Sequence, residues 1–426
     1  MSFRLKLLLE VAVVSATILI LDGFGIGAMP DAGERRFGDD KADTLGSIFR
    51  WTADVRGEPL QIPNLAALGL EILRPDLKLS RDKDTIKALS GYQATAYRAA
   101  LGYPGADTFA GHQTMMGADM SHVVDCLLSE RLTEVSQVLE HGGYRTQQLN
   151  GEPIILVDDA ILVHDNLEAD PALIWNVSAR LTEVPWETIL DIAKLVRNVA
   201  PVSRVIAVGG YSDQPLYKHV RLGDGGAIGL DTPASGFYTN GGLQVEHLGA
   251  ALDHTKQLPE LAAQAGFRVT LIGKAADILV TDTTVHRHPA VNTAEVLQRT
   301  ISAQQKGGLI VANVQETDLA GHQQDPARFA LLLEQVDKAI PQLLAGLTAA
   351  DLLVITADHG NDPLIGHAYH TREYAPVLIV RQSATPNSLP SVKSGGTLAT
   401  LADVGAIVET HLGILPHDIQ QSTPMG

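Results

Sequence analysis

Short β-rich apolar runs recur along this chain, each closing on Gly, Asp or His and followed by residues at helical spacing. The clearest occupy residues 17–21, 268–272, 309–314, 352–356 and 376–380. Strands that alternate with helices need crossover connections, which implies an α/β core with a mostly parallel sheet covered on both faces. One covering helix is well punctuated. Asp325 can cap its N-terminus, and Pro326 suits its first position. Phe329, Leu332, Leu333, Val336, Ile340 and Leu344 form its apolar stripe, with a kink expected at Pro341. A second helix is expected to begin near Thr397 and turn Leu398, Leu401, Val404, Ile407 and Val408 inward.

The middle third breaks this rhythm. It reads as an amphipathic helix over 127–139, an extended segment over 153–163 and helices over 172–177 and 186–199. A strand over 204–208 and a glycine-rich connection over 223–242 complete it. A chain of 426 residues has room for two or three domains. The expected organisation is a discontinuous core, residues 1–117 and 241–426, interrupted by an inserted α+β cap over 118–240.

Charge narrows the partners. Lys and Arg number 32 against 49 Asp and Glu, a formal net charge of −17. That balance disfavours nucleic acid and anionic membrane surfaces, both polyanions, but admits a small phosphorylated metabolite at a local positive site. Cys126 is the single cysteine, so neither a disulfide framework nor a cysteine zinc cluster is available. Any metal site must come from Asp, Glu and His. At the N-terminus Arg4 and Lys6 precede an apolar run over 7–21, interrupted by Glu10 and Ser15. The run reads either as a secretory leader with small residues at Val14-Ser15-Ala16, or as an extension entering the first buried strand. The strand reading leads, with a cytoplasmic location and no membrane span.

Three segments place acids and imidazoles after expected strands, where open α/β sheets build their sites. Asp22 follows the first run. Asp318 and His322 follow the third, four residues apart, so that a helical turn would set them on one face. Asp358 and His359 follow the fourth, with His370 twelve residues past Asp358. Three carboxylates and three imidazoles suit Mn²⁺, Zn²⁺ or Mg²⁺, and six side chains suffice for two ions. A rival reading takes Gly23-Phe24-Gly25-Ile26-Gly27-Ala28 as a dinucleotide fingerprint, with Asp43 as its acidic residue. Its context fails, because Pro30 and Gly33 follow where a helix should open. The segment Gly105-Ala106-Asp107-Thr108-Phe109-Ala110-Gly111-His112 admits two readings. It is a helix cap, or it sets the Thr108 hydroxyl beside a metal as a nucleophile for phosphoryl transfer. His112, His122 and His367 read as structural or surface histidines.

In combination these residues resemble the phosphopentomutases, metal-dependent members of the alkaline phosphatase superfamily. The resemblance rests on residues 22–32 with Phe37-Gly38-Asp39, residues 42–46 and 105–112, Ile272-Gly273-Lys274, residues 357–363 and residues 370–374. It implies an alkaline-phosphatase-like core with an inserted cap, and two Mn²⁺ ions. By motif, Asp22, Asp358, His359 and the Thr108 hydroxyl would hold one ion, and Asp318, His322 and His370 the other. Thr108 would carry the phosphoryl group between C1 and C5 of ribose or deoxyribose. Lys274 and Arg204 match positions near the substrate.

The chain also departs from that pattern. Gln113-Thr114 stands where the family usually has Trp-Glu, and Asp318 and His322 are one residue closer than is typical. After Arg204-Val205-Ile206-Ala207 the family continues Arg-Pro-Phe, whereas this chain has Val208-Gly209-Gly210. The leading expectation is a phosphomutase acting on a pentose phosphate. The alternative is a phosphohydrolase or phosphotransferase on another small phosphorylated metabolite, using the same two-metal site.

Overall fold

The computed structural model describes residues 14–80, 83–385 and 388–414. Arg4, Lys6 and the rest of the chain up to residue 13 lie outside the described residues, and the leader reading lies there with them. The chain divides into two compact units. The first comprises Met1–Gly102, Gly111–Ala118 and Asp253–Gly426; the second comprises Tyr103–Ala110 and Asp119–Leu252. The inserted unit thus runs on to Leu252, past residue 240, and takes in the start of the 105–112 segment.

An eight-stranded sheet carries the first unit. Its order is His286–His288, Val269–Ile272, Leu309–Val314, Ala16–Leu21, Leu352–Thr356, Ala375–Gln382, Tyr92–Ala99 and Ser391–Leu398. The first five strands are mutually parallel, as is the last pair. Only Ala375–Gln382 runs antiparallel to its neighbours. The three central strands, Leu309–Val314, Ala16–Leu21 and Leu352–Thr356, are buried along their whole length. They read in sequence as continuous apolar runs for that reason. Their register aligns Leu21 with Val314 and Ile20 with Thr356, so all three end at one edge.

Helix Pro326–Ala345 covers this sheet with Phe329, Leu332, Leu333, Val336, Ile340 and Leu344 buried. Asp325 caps it, its Oδ1 accepting from the Arg328 N–H at 2.9 Å. Pro341 lies inside the helix, which continues past it to Ala345. The helix expected near Thr397 begins only at Ala402, and Thr397 belongs to strand Ser391–Leu398. Leu398, partly exposed at the end of that strand, sits at helical spacing from Leu401 by coincidence of phase. The start is set by Thr400, whose N–H donates to Asp403 Oδ2 and whose Oγ1 accepts from the Ala402 N–H.

The second unit holds a six-stranded sheet in the order Gln244–Gly249, Arg204–Gly210, Ile174–Arg180, Ile161–Asp165, Ile155–Val157 and Thr146–Gln148. Only Arg204–Gly210 and Ile174–Arg180 pair in parallel. One face packs with residues of helices Leu132–His141 and Trp186–Val199 around Trp175 and Val177. The other gathers Ile206, Val208, Leu216, Leu230 and Phe237. The helix expected over 172–177 is therefore the strand Ile174–Arg180. Both its faces are covered, so the alternation that marks a half-exposed strand is absent. Among the described residues no helix is long and apolar enough to cross a membrane.

The cap at Asp325 provides a direct check on the first unit. Asp325→Ala is expected to lower the unfolding free energy by about 1 kcal/mol, read from urea melts at neutral pH. An unchanged midpoint would show that Asp325 does not hold the helix start.

Candidate metal centre

The three central strands of the first unit end side by side, and each delivers an acid within a few residues. Asp22 directly follows Leu21, its N–H donating to the Val314 carbonyl at 3.2 Å. Asp318 stands on helix Glu316–His322, which follows Val314, and His322 lies one turn later. Their side chains share a face, with His322 Nε2 3.4 Å from Asp318 Oδ2. Asp358 and His359 follow strand Leu352–Thr356. The chain then loops out and returns, and backbone hydrogen bonds between Gly360 and Thr371 at 3.0 and 2.8 Å bring His370 onto His359. Their ring centroids are 4.0 Å apart.

Two sets of ligand atoms result, Asp22 with Asp358 and His359, and Asp318 with His359 and His370. In each set the atoms lie within 4.8 Å of one another. His359 Nε2 joins the sets, 3.5 Å from Asp22 Oδ1 and 3.3 Å from Asp358 Oδ2. His370 Nε2 lies 3.4 Å from Asp318 Oδ1 and 3.1 Å from His322 Nε2. The ring orientations suit a cation. His359 Nδ1 is 3.0 Å from the Gly360 carbonyl and His322 Nδ1 2.6 Å from the Ala368 carbonyl. An Nδ1–H donated to a carbonyl leaves the Nε2 lone pair turned toward the carboxylates, which is how metal-binding imidazoles are oriented. Oxygen and imidazole donors in this number fit Mn²⁺, Zn²⁺ or Mg²⁺.

The electrostatics follow from burial. Asp22 and Asp358 are fully buried, and Asp318 nearly so. Burial, reinforced by the Asp358 charge, raises the Asp22 pKa above the ordinary carboxylate range. Burial opposes ionisation of Asp318 too, but Lys274 and His370 outweigh it and hold that carboxyl well below its usual value. Asp358 is likewise lowered, because His359 and His112 overcome its desolvation.

Lys274 lies within the carboxylate cluster, its Nζ 2.6 Å from Asp22 Oδ2 and 3.5 Å from Asp318 Oδ2. Arg204 and Thr108 belong to the second unit. Thr108 is buried and opens helix Thr108–Met115; Asp107 caps that helix by accepting from the Ala110 N–H at 2.8 Å. Arg204 Nη2 pairs with Asp107 Oδ2 at 3.1 Å. The glycine fingerprint does not form a dinucleotide turn, since no helix opens at residues 23–28.

Four residues that sequence reasoning left aside also serve the cluster. His112 contacts Asp358, and Asn313 donates to Asp22. Asn361 Nδ2 donates to Asp318 Oδ1 at 2.9 Å. Glu373, fully buried, accepts from Gly27 N, Thr44 N, Thr44 Oγ1 and Thr371 Oγ1 at 2.6–2.9 Å. It ties the loop after Asp22 to the segment carrying His370. A Cβ on Gly360 would stand 2.5 Å from Glu373 Oε1, so glycine is needed there. A signal for Asn313 existed in the sequence: it is a lone amide inside an apolar strand.

A family model described as Metalloenzyme superfamily matches residues 15–415. The chain is 28% identical over 435 residues to a phosphopentomutase of Yersinia pestis bv. Antiqua (strain Angola), covering 94% of this chain and 97% of that protein. The phosphopentomutase of Yersinia pseudotuberculosis serotype O:1b (strain IP 31758) gives the same identity and coverage. Among solved structures, Leishmania mexicana phosphoglycerate mutase superposes with a TM-score of 0.42 at 13% identity, over 96% of this chain and 97% of that one.

Glu373 makes the centre's frame sensitive to pH. Burial pushes its carboxyl up to about 7, against the lowering effect of its hydrogen bonds. A carboxyl raised in the folded state adds stability that is complete below the unfolded value of 4.5 and is lost as pH rises through about 7. Relative to Glu373→Gln, the native chain is expected to lose about 3 kcal/mol of unfolding free energy across that window, measured by urea melts at several pH values. Parallel pH profiles for the two proteins would refute this.

Proposed function

Because this chain belongs to the Metalloenzyme superfamily, we propose that it is a metal-dependent phosphomutase that moves a phosphoryl group between positions of a pentose phosphate. The observation that carries the reading is the convergence of Asp22, Asp318, Asp358 and His359, which follow three adjacent strand ends, with His370 from a returning loop. The 28% identity to phosphopentomutases across 94% of the chain supports the reaction class. Asp22, Asp358, His359 and Thr108 would hold one divalent ion and Asp318, His322 and His370 another, Mn²⁺ being the proposed metal. Such ions would supply Lewis-acid stabilisation of phosphoryl oxygens and lower the pKa of the nucleophile.

The protein's own groups account for the rest of the chemistry. Thr108 Oγ1 attacks phosphorus, forming the P–O bond to threonine as the P–O bond to the sugar breaks. The threonine proton is lost and the departing sugar oxygen gains one. A second sugar hydroxyl then attacks the phosphothreonine, and the bonds change in reverse. Helix Thr108–Met115 starts at the proposed nucleophile, and the N-terminal end of a helix favours negative charge. Asp107 alone would repel an anion there, and Arg204 neutralises it while leaving Nε without a partner among the described residues. Lys274 competes with a cation for Asp22 and Asp318, so metal loading frees its ammonium for the substrate phosphate. The reading includes a cytoplasmic site of action.

The decisive assay follows ribose 1-phosphate, ribose 5-phosphate and inorganic phosphate together by phosphorus NMR with Mn²⁺-loaded protein. Exchange between the two esters without phosphate release is expected; release alone would replace the mutase with a phosphohydrolase. Thr108→Ala is expected to abolish transfer, a loss of at least about a thousandfold, with metal content by elemental analysis unchanged. Undiminished turnover would remove Thr108 from the reaction.

A further inference from the structure

The dipeptide Gly111-His112 ends the 105–112 segment, and the proposed reaction gives it no part. His112 is fully buried, with Nδ1 3.1 Å from Asp358 Oδ2 and Nε2 3.1 Å from Asn313 Oδ1. Asn313 is also fully buried and donates from Nδ2 to Asp22 Oδ2 at 2.8 Å. An amide that donates Nδ2 to a carboxylate turns Oδ1 the other way as an acceptor. Its orientation is thereby assigned, and the facing His112 Nε2 is a donor. With both ring nitrogens of His112 donating, Asp358, His112, Asn313 and Asp22 form one unbroken chain joining the carboxylates of two neighbouring strand ends. The remaining oxygen of Asp358 is held as well, accepting from Gly23 N at 3.2 Å and His359 N at 3.1 Å.

Gly111 explains how the histidine gets there. A Cβ at that position would stand 2.6 Å from the Asp358 carbonyl oxygen and 2.9 Å from its Cβ. Any larger residue pushes the helix off the strand end and withdraws His112 from the carboxylate. The other ligand set is braced by different groups, Asn361 on Asp318 and the Ala368 carbonyl on His322. The two braces share no residue, so they can be broken separately.

We propose that His112 and Asn313 are positioning residues for the cation site built on Asp22, Asp358 and His359, fixing the spacing of its two carboxylates, and that Gly111 admits them. The inference rests on the metal-centre reading above. Removing a hydrogen-bond partner behind a metal ligand typically costs 10–100-fold in affinity. A histidine that only fills the core would instead weaken folding without distinguishing the two ion sites.

The test is titration of the full-length, metal-stripped protein with Mn²⁺ alone, by calorimetry and by the paramagnetic resonance signal of free Mn²⁺. Two binding classes are expected for the native chain, and the class lost in Asp358→Ala identifies the site in question. His112→Leu and Asn313→Leu are each expected to weaken that class by about 10–100-fold and leave the other unchanged. Gly111→Ala should follow them. His112→Asn keeps a donor near the Nδ1 position and is expected to recover most of the affinity. Unchanged affinity in the leucine variants, equal loss in both classes, or no recovery in His112→Asn would each overturn the proposal. Should His112→Leu fail to fold by circular dichroism, Asn313→Ser against His112→Asn makes the same comparison. A native chain that takes up no Mn²⁺ overturns the metal centre itself, whereas two native sites with unaffected variants overturn only the positioning role.

Discussion

Three carboxylates buried at adjacent strand ends repel one another, and the structure around them is arranged to offset that repulsion. In a low-dielectric interior, like charges at these separations cannot all ionise without resident cations. Lys274 lies between Asp22 and Asp318, and the imidazoles of His359 and His112 stand against Asp358. The offset is uneven. Asp318 and Asp358 are held ionised, while Asp22 stays raised by its burial and by Asp358. The uneven offset leaves buried carboxylate oxygens gathered with imidazole nitrogens, the donor types that divalent cations take.

The same requirement explains the loops. Ligands at strand ends are positioned by the sheet register, but His370 comes from a segment with no strand of its own. It is brought back by the Gly360–Thr371 bridge and by Glu373, whose carboxylate collects four donors from three separated stretches of chain. Four hydrogen bonds offset part of the cost of burying that group, and burial still prevails in raising its pKa. The frame and the ligand set are thus one hydrogen-bonded structure.

What could be read from sequence follows from how local each signal is. The central strands showed as apolar runs, the Asp325 cap and Trp186–Val199 as helical punctuation, and Asp318 with His322 as a four-residue spacing that a helix turns into one face. The partners of those residues were not legible. Nothing in the spacing of His112, Asn313 and Glu373 tells which carboxylate or loop each will meet, because those contacts join segments more than 200 residues apart. Strands Tyr92–Ala99 and Ser391–Leu398 were missed for another reason. The first mixes polar with small residues, and the second is an exposed edge broken by Gly395-Gly396 at a register shift. The second unit's Ile174–Arg180 failed through burial on both faces, which removes the period that separates strand from helix.

Position 208 shows how the second unit can diverge while the centre stays intact. The resemblance to phosphopentomutases leads one to look for an arginine after Ala207, and Val208 stands there. Along strand Arg204–Gly210 alternate residues face one way, so Arg204, Ile206 and Val208 share a side of the sheet. Ile206 and Val208 are buried there with Leu216, Leu230 and Phe237. Gly210, two residues on, is so close to Phe237 that a Cβ would stand 2.7 Å from its ring. The segment carrying Leu216, Leu230 and Phe237 therefore roofs this face. An arginine at 208 would bury a guanidinium among these apolar side chains. Val208 and the roof are consequences of one another. Arg204 stands at the other end of this strand, where it pairs with Asp107, next to Thr108.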